Sequence, residues 1–503
     1  MSVAAYYFFR EQHTVLGYKD SLSHLLIGRR IVVGQSTGFG QLGGIWLPLQ
    51  HLLIMSLAWN DQLYQSGLAG SIFSMGSYVA CVVLMYRVTW HVTGQRPAAW
   101  AAAAVVGFST NLLYLQATPM GETLMYAGLM LAVLCVVRWI QTDSHGWLFL
   151  GAATCGLLVF ARYEAWVFCA AMWVVVLYTC LHKRHRLLIG NEAGQAYVLM
   201  FGFYMTLAVA GWLLWNQLIF GDWMQWLTGT HGSKDQTGKL ALSQVGNLRL
   251  SVETYAYAMK HTVPVPLLAL GAAGLLAMAW RERLSPAFVA LSATLAPGVF
   301  ITYGLYSGSQ PMRVAEVDGD LYNLRMAVVM LLPTALFVGY AVSCLPRSRR
   351  GGLGLVAAVL ITAVGVQAVD TAHRDGSTIV TNLEAKQAYD SYAEQRDVGE
   401  FLRTQTTGRI LVESIFNEWV VFPNQDRTIY EGSQAMWDSS LDGPGLTSNR
   451  IDVIVMRSTP GDVDQVYSRL YGSDAVRDYG VVLQTDNFLV LQRGEGDRSG
   501  LRK

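Results

Sequence analysis

The sequence TLMYAGLMLAVLCVVRWI, at residues 123–140, carries a single charge, Arg138, near its end. A helix needs about 20 mostly apolar residues to cross the hydrocarbon core of a bilayer. Similar stretches lie on both sides of this one and predict a polytopic α-helical membrane protein. The predicted spans lie near residues 66–86, 98–115, 123–140, 147–161, 163–181, 197–220, 263–280, 286–305, 324–345 and 353–369.

The composition supports a membrane domain followed by a soluble one. Of the 503 residues, 52% are hydrophobic and 14% are charged, whereas soluble domains carry about a quarter charged residues. The composition becomes ordinary only after Asp370. We therefore predict a transmembrane domain at residues 1–370 and a soluble domain at 371–503. The net charge of +1 gives no support for a nucleic-acid partner.

The first nine residues, MSVAAYYFF, are apolar but too few to cross a bilayer alone. They lack the basic start and cleavage site of a signal peptide. We interpret them as the end of a first span whose beginning is either missing or short, which brings the total to ten or eleven.

Lysine and arginine residues are concentrated in alternate loops, which is the pattern that sets membrane orientation. The remaining loops and the soluble tail are then extracytoplasmic, in a multi-pass protein of the cell membrane. We expect the chemistry in these external segments. The basic positions are Arg87, Arg96, Arg138, Lys183, Arg184, Arg186, Arg281, Arg283, Arg347, Arg349 and Arg350.

The tail has the pattern of a small α/β domain. Its periodicity predicts helices at 384–403 and 462–470. Strand-like runs occupy 408–413, 417–422 and 450–456, and the runs YGVVLQ and FLVLQR read as a hairpin. We expect helices on a mixed sheet, in an independent accessory domain, because the tail shows no catalytic motif.

The first external loop is GYKDSLSHLLIGRRIVVGQSTGFGQLGGIWLPLQHLL, residues 17–53. Residues 19–33 fit an amphipathic helix lying on the membrane, with His24 and Arg29 among its polar residues. Asp20 stands where the chain leaves the first span. A desolvated carboxylate there could act as a base toward a hydroxyl group. The alternative is an aspartate that caps a helix.

Three further charged positions lie at external ends of spans. Glu122 is either a second carboxylate facing Asp20 or a partner of the helix dipole. Arg162 and Glu164, held within the membrane boundary, are either functional or a structural pair. Arg325 could bind a phosphate through two N–H groups, or its side chain could extend to the interface.

Seven segments together, in this order, resemble the GT-C superfamily of membrane glycosyltransferases. The resemblance is to the branch of protein mannosyltransferases and lipid A aminoarabinose transferases, which is glycosyltransferase family 39-like, and covers roughly residues 1–370. The segments are YKD (18–20), RRIVVG (29–34), GQLGGIWLPL (40–49), LQATPMGE (115–122), ARYEAW (161–166), IFGDW (219–223) and YNLRMAVVMLLP (322–333).

This resemblance implies a cell-envelope enzyme that uses a polyprenyl phosphate sugar as donor on the extracytoplasmic face. The acceptor would be a hydroxyl group of a lipid, a glycan or a protein. Lys19 precedes Asp20, so the paired acids of protein mannosyltransferases are absent, which argues against a protein acceptor. The scheme needs neither a metal nor another cofactor, and a single displacement would invert the anomeric carbon.

The roles that the resemblance implies fall into three groups. Asp20 is the candidate base, with Glu122 and Glu164 as further catalytic candidates. The expected ligands of the donor phosphate are Arg325, Arg162 and Arg29. Other expected substrate contacts are His24, Tyr163 and Tyr322.

Two other functional classes share parts of this pattern. A transporter or flippase for a lipid-linked or anionic substrate is the main alternative. Transporters usually show internal repeats or charges at mid-membrane depth, and neither is evident here. A lipid-linked polymer ligase would need a larger late external loop than residues 306–323 provide.

Overall fold

The computed structural model describes residues 1–185, 190–228, 242–345, 354, 379–433, 435–459 and 462–494. Contacts divide the chain into two compact units. The first consists of Met1–Val15, Gly44–Gln50 and Ser71–Ala385, and the second of Leu16–Gly43, His51–Gly70 and Lys386–Lys503. The predicted domain boundary at residue 370 lies outside the described residues.

Seven helical stretches in the described part of the chain are long and apolar enough to cross a membrane. Each coincides with a predicted span, which confirms a multi-pass helical membrane protein. Their bounds are Leu68–Thr93, Glu122–Thr142, Glu164–Lys183, Asn191–Phe220, Val265–Glu282, Pro286–Ser307 and Leu324–Ser343.

The other three predicted spans are not among these seven helical stretches. The stretch at 98–115 forms two short helices, Arg96–Gly107 and Thr110–Leu115, because Ser109 starts a new helix by accepting a hydrogen bond from the Leu112 amide. The stretch at 147–161 is a 15-residue helix, His145–Val159. The span predicted at 353–369 lies outside the described residues.

Shorter elements complete the first unit. The N-terminal helix, Ser2–Glu11, has 10 residues. Gly274 lets two helices approach closely, because an added Cβ would lie 1.9 Å from the Phe337 carbonyl oxygen. The other short helices are Gln225–Thr228, Leu248–Thr262, Ala315–Asp318, the 3₁₀ helix Leu324–Met330, and Val380–Ser391, which continues past the unit boundary at Ala385.

The second unit contains a six-stranded mixed sheet in the order β2-β1-β3-β6-β5, with β4 paired to β3. Strands β2, β1 and β3 are parallel, whereas β3, β6 and β5 are antiparallel. The mixed sheet and the final hairpin are as predicted. The strands are β1 (Arg409–Leu411), β2 (Thr428–Ile429), β3 (Ile451–Thr459), β4 (Asp462–Val463), β5 (Tyr479–Gln484) and β6 (Phe488–Arg493).

Alternate residues of the strands enter two separate hydrophobic cores, as the period of two in a strand requires. Val453 and Val455 belong to one core, which also contains Leu22, Leu25 and Ile54 from the early part of the chain. Ile454 and Met456 belong to the other core, with residues from later helices. Thus the second unit is built from both the early segments and the tail. Its helices are Lys19–Arg30, Asp61–Gln65, Ala393–Gln405, Glu418–Val421, Ala435–Leu441, Pro444–Ser448 and Gln465–Leu470, and Leu49–Ala58 enters it at His51.

Three local predictions need correction. Residues 417–422 contain the helix Glu418–Val421 rather than a strand, because a short buried apolar run has no period that separates the two. The helix predicted at 384–403 is two helices, interrupted at Tyr392. The helix predicted at 19–33 ends at Arg30, and its apolar residues pack into the core rather than facing lipid.

Candidate active site

Four charged side chains of the first unit form one ion-pair cluster. Arg162 Nη1 lies 3.2 Å from Glu122 Oε1, and Arg162 Nη2 lies 3.0 Å from Glu164 Oε1. Arg325 Nε lies 3.3 Å from the same Glu122 oxygen. Thus residues that are up to 203 positions apart, from Glu122 to Arg325, share one set of contacts. We call Glu122, Arg162, Glu164 and Arg325 the charge cluster.

The charge cluster is balanced in charge and mostly buried, with Arg162 as its one partly exposed member. Glu122, Arg325 and Glu164 are 2%, 3% and 4% exposed, and two carboxylates face two guanidinium groups. Burying an unpaired charge is costly, so such groups persist only when they are paired. Glu122 Oε2 has no hydrogen-bond partner among the residues that the structure describes.

Both carboxylates of the charge cluster lie at the start of a helix. Glu122 is the first residue of Glu122–Thr142, and Glu164 is the first residue of Glu164–His185. A carboxylate is favourable at a helix N-terminus because the helix dipole is positive there. The turn before Glu122 is fixed by Ser74 Oγ, which donates to the Met120 carbonyl at 2.9 Å, and by Gln50 Nε2, which donates to the Pro119 carbonyl at 3.3 Å.

Arg325 is held by a turn that the sequence did not reveal. Asn323 has a left-handed backbone (φ +58°), and the 3₁₀ helix Leu324–Met330 follows it. The Glu384 carboxylate accepts hydrogen bonds from the amides of Asn323 and Leu324, the latter at 3.1 Å. These contacts satisfy amides at the helix start and fix the backbone beside Arg325.

Tyr163 lies between Arg162 and Glu164 and belongs to an aromatic group. Its hydroxyl donates to the Ile45 carbonyl at 2.8 Å, and its ring stacks on Trp226 at 4.7 Å between centroids. Tyr163 is thus fixed next to the charge cluster by contacts of its own.

Two more tyrosines of the first unit complete the comparison with the prediction. Tyr322 was predicted as a substrate contact, and Tyr126 was not predicted. Tyr322 is 41% exposed, and its backbone pairs with Arg313 in an isolated bridge. Tyr126 is close enough to Glu122 for an electrostatic interaction. Its spacing of four residues from Glu122 places both on one face of the helix, so that spacing was a signal in the sequence.

Asp20 belongs to the second unit and is partly exposed. It is the second residue of the helix Lys19–Arg30, whose N-cap is Tyr18. Asp20 thus lies in the first turn, where a carboxylate is favourable. His24 follows one turn later, and its Nδ1 lies 2.8 Å from His51 Nε2. Burial, together with His24 and Arg30, lowers the pKa of His51 well below its ordinary value.

Arg29 makes the contacts of a structural residue. Its Nη1 donates to the Ala58 carbonyl at 3.0 Å, and its Nη2 pairs with Asp61. Its guanidinium lies 4.4 Å from the centre of the Tyr64 ring. Its Nε has no hydrogen-bond partner among the residues that the structure describes. Among the residues that the structure describes, no three His, Cys, Asp or Glu side chains form a metal-binding group.

Two crystal structures of ArnT from Cupriavidus metallidurans are similar to this chain over nearly its whole length. The apo structure has a TM-score of 0.54 at 12% identity and covers 94% of this chain and 92% of its own. The structure bound to undecaprenyl phosphate has a TM-score of 0.55 at 11% identity and covers 100% and 99%.

A crystal structure of the Archaeoglobus fulgidus oligosaccharyltransferase complex with Zn and sulfate has a TM-score of 0.46 at 12% identity, and covers 92% of this chain and 67% of its own. No family model matches the sequence, and no curated protein matches it either. The resemblance to GT-C proteins is confirmed at the level of the fold: this chain is a multi-pass membrane protein with the GT-C fold of ArnT.

Proposed function

We propose that this chain is a membrane glycosyltransferase that moves a sugar from a polyprenyl phosphate donor to an acceptor hydroxyl group, with inversion of the anomeric carbon. Its fold is shared with ArnT, one structure of which is bound to undecaprenyl phosphate. The reaction takes place at the extracytoplasmic face in this proposal, because the basic loops lie on the other side.

The observation that carries this proposal is the charge cluster. Departure of a polyprenyl phosphate leaves additional negative charge on a phosphate oxygen. Fixed guanidinium groups in a buried site stabilise such charge without needing to reorganise. Arg162 and Arg325 are fixed by Glu122 and Glu164, and each terminal guanidinium nitrogen carries two N–H groups. A phosphate can therefore bind while the ion pairs persist.

Asp20 is the base in this proposal. The acceptor oxygen attacks the anomeric carbon, its proton passes to the Asp20 carboxylate, and the bond from the anomeric carbon to the phosphate oxygen breaks. The products are a glycosylated acceptor and a polyprenyl phosphate, and attack opposite the leaving group inverts the carbon. Glu122 and Glu164 hold the arginines and are the next candidates for the base.

Four other predicted residues keep their proposed roles. Tyr163 and His24 remain proposed contacts of the sugar or acceptor, and Tyr322 remains one because its exposed side chain follows the same loop as Arg325. Arg29 remains a proposed ligand of the donor phosphate, although Asp61, the Ala58 carbonyl and the Tyr64 ring already contact its guanidinium.

The test is a transfer assay with purified protein in lipid nanodiscs. The donors are undecaprenyl phosphate esters of a hexose, a pentose and an aminopentose, each offered with lipid, glycan and peptide hydroxyl acceptors. We expect at least one combination to release undecaprenyl phosphate and form a product with inverted configuration. Arg249→Ala, at an exposed residue paired with Glu253, is the control that should retain activity.

Two results would contradict the proposal. Retention of configuration would exclude a single displacement. Movement of the donor across proteoliposome membranes with no covalent product from any pair would favour the transporter alternative.

A further inference from the structure

Lys19 stands at an unfavourable position for a lysine. It is the first residue of the helix Lys19–Arg30, where the positive end of the helix dipole repels a cation. The preceding residue, Tyr18, is not a residue type favoured at a helix N-cap. Asp20 favours the helix start, because its carboxylate complements the dipole, so it is the lysine beside it that needs another interaction.

That interaction comes from the C-terminal part of the second unit. Lys19 Nζ lies 3.1 Å from Glu418 Oε2, and the two side chains are 20% and 10% exposed. The ammonium group also lies 4.0 Å from the centre of the Phe416 ring and 5.9 Å from that of Tyr392. A desolvated ion pair against aromatic faces is stronger than an exposed one.

A second contact joins the same helix turn to the same carboxylate. Ser23 Oγ donates to Glu418 Oε1 at 3.4 Å, so Lys19 and Ser23, one turn apart, contact both oxygens of Glu418. Burial lowers the pKa of Lys19, and the nearby Glu418 carboxylate acts in the opposite direction.

Glu418 is itself held rigidly. It begins the helix Glu418–Val421, of which Val420 and Val421 are in the hydrophobic core with Leu22. Asn417 is fully buried, and its Nδ2 donates to the Glu413 carbonyl at 3.0 Å. The partner of Lys19 is therefore part of the packed domain and not a free surface side chain.

We propose that Lys19 is a positioning residue, which holds the first helix turn against Glu418 and thereby orients the Asp20 carboxylate. Successive helix residues point about 100° apart, so a Lys19 side chain held by Glu418 directs Asp20 away from that carboxylate. In this arrangement the C-terminal domain takes part in catalysis although it holds no reacting group. The inference rests on the proposed function, in which Asp20 is the base.

The experiment compares Lys19→Met, Lys19→Arg and the double variant Lys19→Met/Glu418→Gln in the transfer assay. Methionine keeps an unbranched apolar side chain against the rings of Phe416 and Tyr392 but removes the charge. In Lys19→Met, Glu418 is left buried without its cation, so both thermal stability and kcat should fall. Misplacing a catalytic group by 1 Å costs about 10²-fold in rate, and we expect a loss of that order in kcat with the donor KM nearly unchanged.

The double variant separates positioning from simple stability. Removing both charges eliminates the unpaired carboxylate, so thermal stability should recover while kcat stays low. Lys19→Arg keeps the cation and should retain most of kcat. A kcat that recovers together with stability in the double variant would overturn the proposal, and so would a change confined to KM.

Hydrogen exchange of residues 16–24 distinguishes failure of this inference from failure of the proposed function. If the wild-type protein transfers no sugar, the proposed function fails. Faster exchange of this segment in the double variant, but not in Lys19→Arg, would still support a first turn held by Lys19. Unchanged exchange in the double variant would overturn that anchoring.

Discussion

One oxygen atom of Glu122 contacts two guanidinium groups, through Arg162 Nη1 at 3.2 Å and Arg325 Nε at 3.3 Å. Glu164 has one such contact, with Arg162 at 3.0 Å. The two carboxylates are buried to a similar degree. Neutralising Glu122 therefore removes a carboxylate from two guanidinium groups, whereas neutralising Glu164 removes one from a single guanidinium group.

We predict that Glu122→Gln destabilises the protein more than Glu164→Gln. Breaking a buried ion pair by removing one partner typically costs about 3–5 kcal/mol, and Glu122 neutralises two arginines. The measurement is thermal unfolding in one detergent. Glu253→Gln, at a partly exposed pair with Arg249, is the control and should cost about 1 kcal/mol or less. Equal loss from both cluster variants would contradict this account of the cluster.

We predict that Asp20→Asn lowers turnover about 10²–10⁴-fold, which is the usual contribution of a general base. Asparagine has the same size and keeps most hydrogen bonding, so folding should be retained. Affinity for undecaprenyl phosphate should also be retained, because arginine and not Asp20 binds the phosphate. Near-normal turnover by a folded variant would shift the role of base to Glu122 or Glu164.

Single helices show which parts of the structure could be predicted from sequence patterns and which could not. The helix Lys19–Arg30 was predictable because its leucines recur at helical spacing. The helix Glu418–Val421 was read as a strand because four residues are too few to show a helical period. Its role as an anchor was not predictable either, since Ser23 and Glu418 are 395 residues apart. Local patterns do not encode such a contact.

A buried carboxyl group with a perturbed pKa lies between β4 and the helix Gln465–Leu470. Asp464 caps the helix Gln465–Leu470 by accepting from the Tyr467 amide at 2.7 Å, and it also accepts from the Arg457 amide at 2.8 Å. Burial raises the pKa of Asp464 to about 7, although these two hydrogen bonds act in the opposite direction.

We predict that Asp464 makes the protein less stable as pH rises from about 4 to 7. Its folded pKa exceeds the ordinary value of 3.8, so the folded state binds the proton more tightly than the unfolded state. The resulting stability is complete below the unfolded pKa and is lost as pH rises through the folded pKa.

Thermal unfolding of wild type and Asp464→Asn at pH 5 and pH 8 checks this sign. The variant should lose less stability than the wild type between the two pH values, because its side chain does not ionise. Asp442→Asn, at an exposed position, should behave like the wild type. An identical pH dependence in Asp464→Asn would refute the assignment.

The whole molecule was partly predictable from the sequence. Hydrophobic spans and strands are visible in local stretches of the sequence, so membrane helices and a mixed sheet were both expected. The shared core of Leu22 and Leu25 with Val420 and Val455 joins distant parts of the chain and was not expected. The same is true of Glu384, whose contact with the turn before Arg325 spans 60 residues.

This shared core changes the expected result of removing the tail. The sequence suggested an independent domain whose deletion leaves some activity. Deleting residues 386–503 would instead uncover Leu22, Leu25 and Ile54 and remove Glu418. We predict that this truncation abolishes transfer and exposes the segment at residues 16–43 to proteolysis. Substantial activity in a truncated protein that resists protease would contradict the prediction.

The central claim is that the charge cluster binds the phosphate of a polyprenyl lipid. The most direct measurement is the equilibrium affinity of the purified full-length protein for undecaprenyl phosphate, compared with Arg325→Ala and the control Arg249→Ala. A hydrogen bond to a charged group contributes about 1.5–3 kcal/mol, which is roughly 10–150-fold in Kd. We predict a loss of this size for Arg325→Ala and none for Arg249→Ala. Unchanged affinity of a folded Arg325→Ala protein would contradict the account.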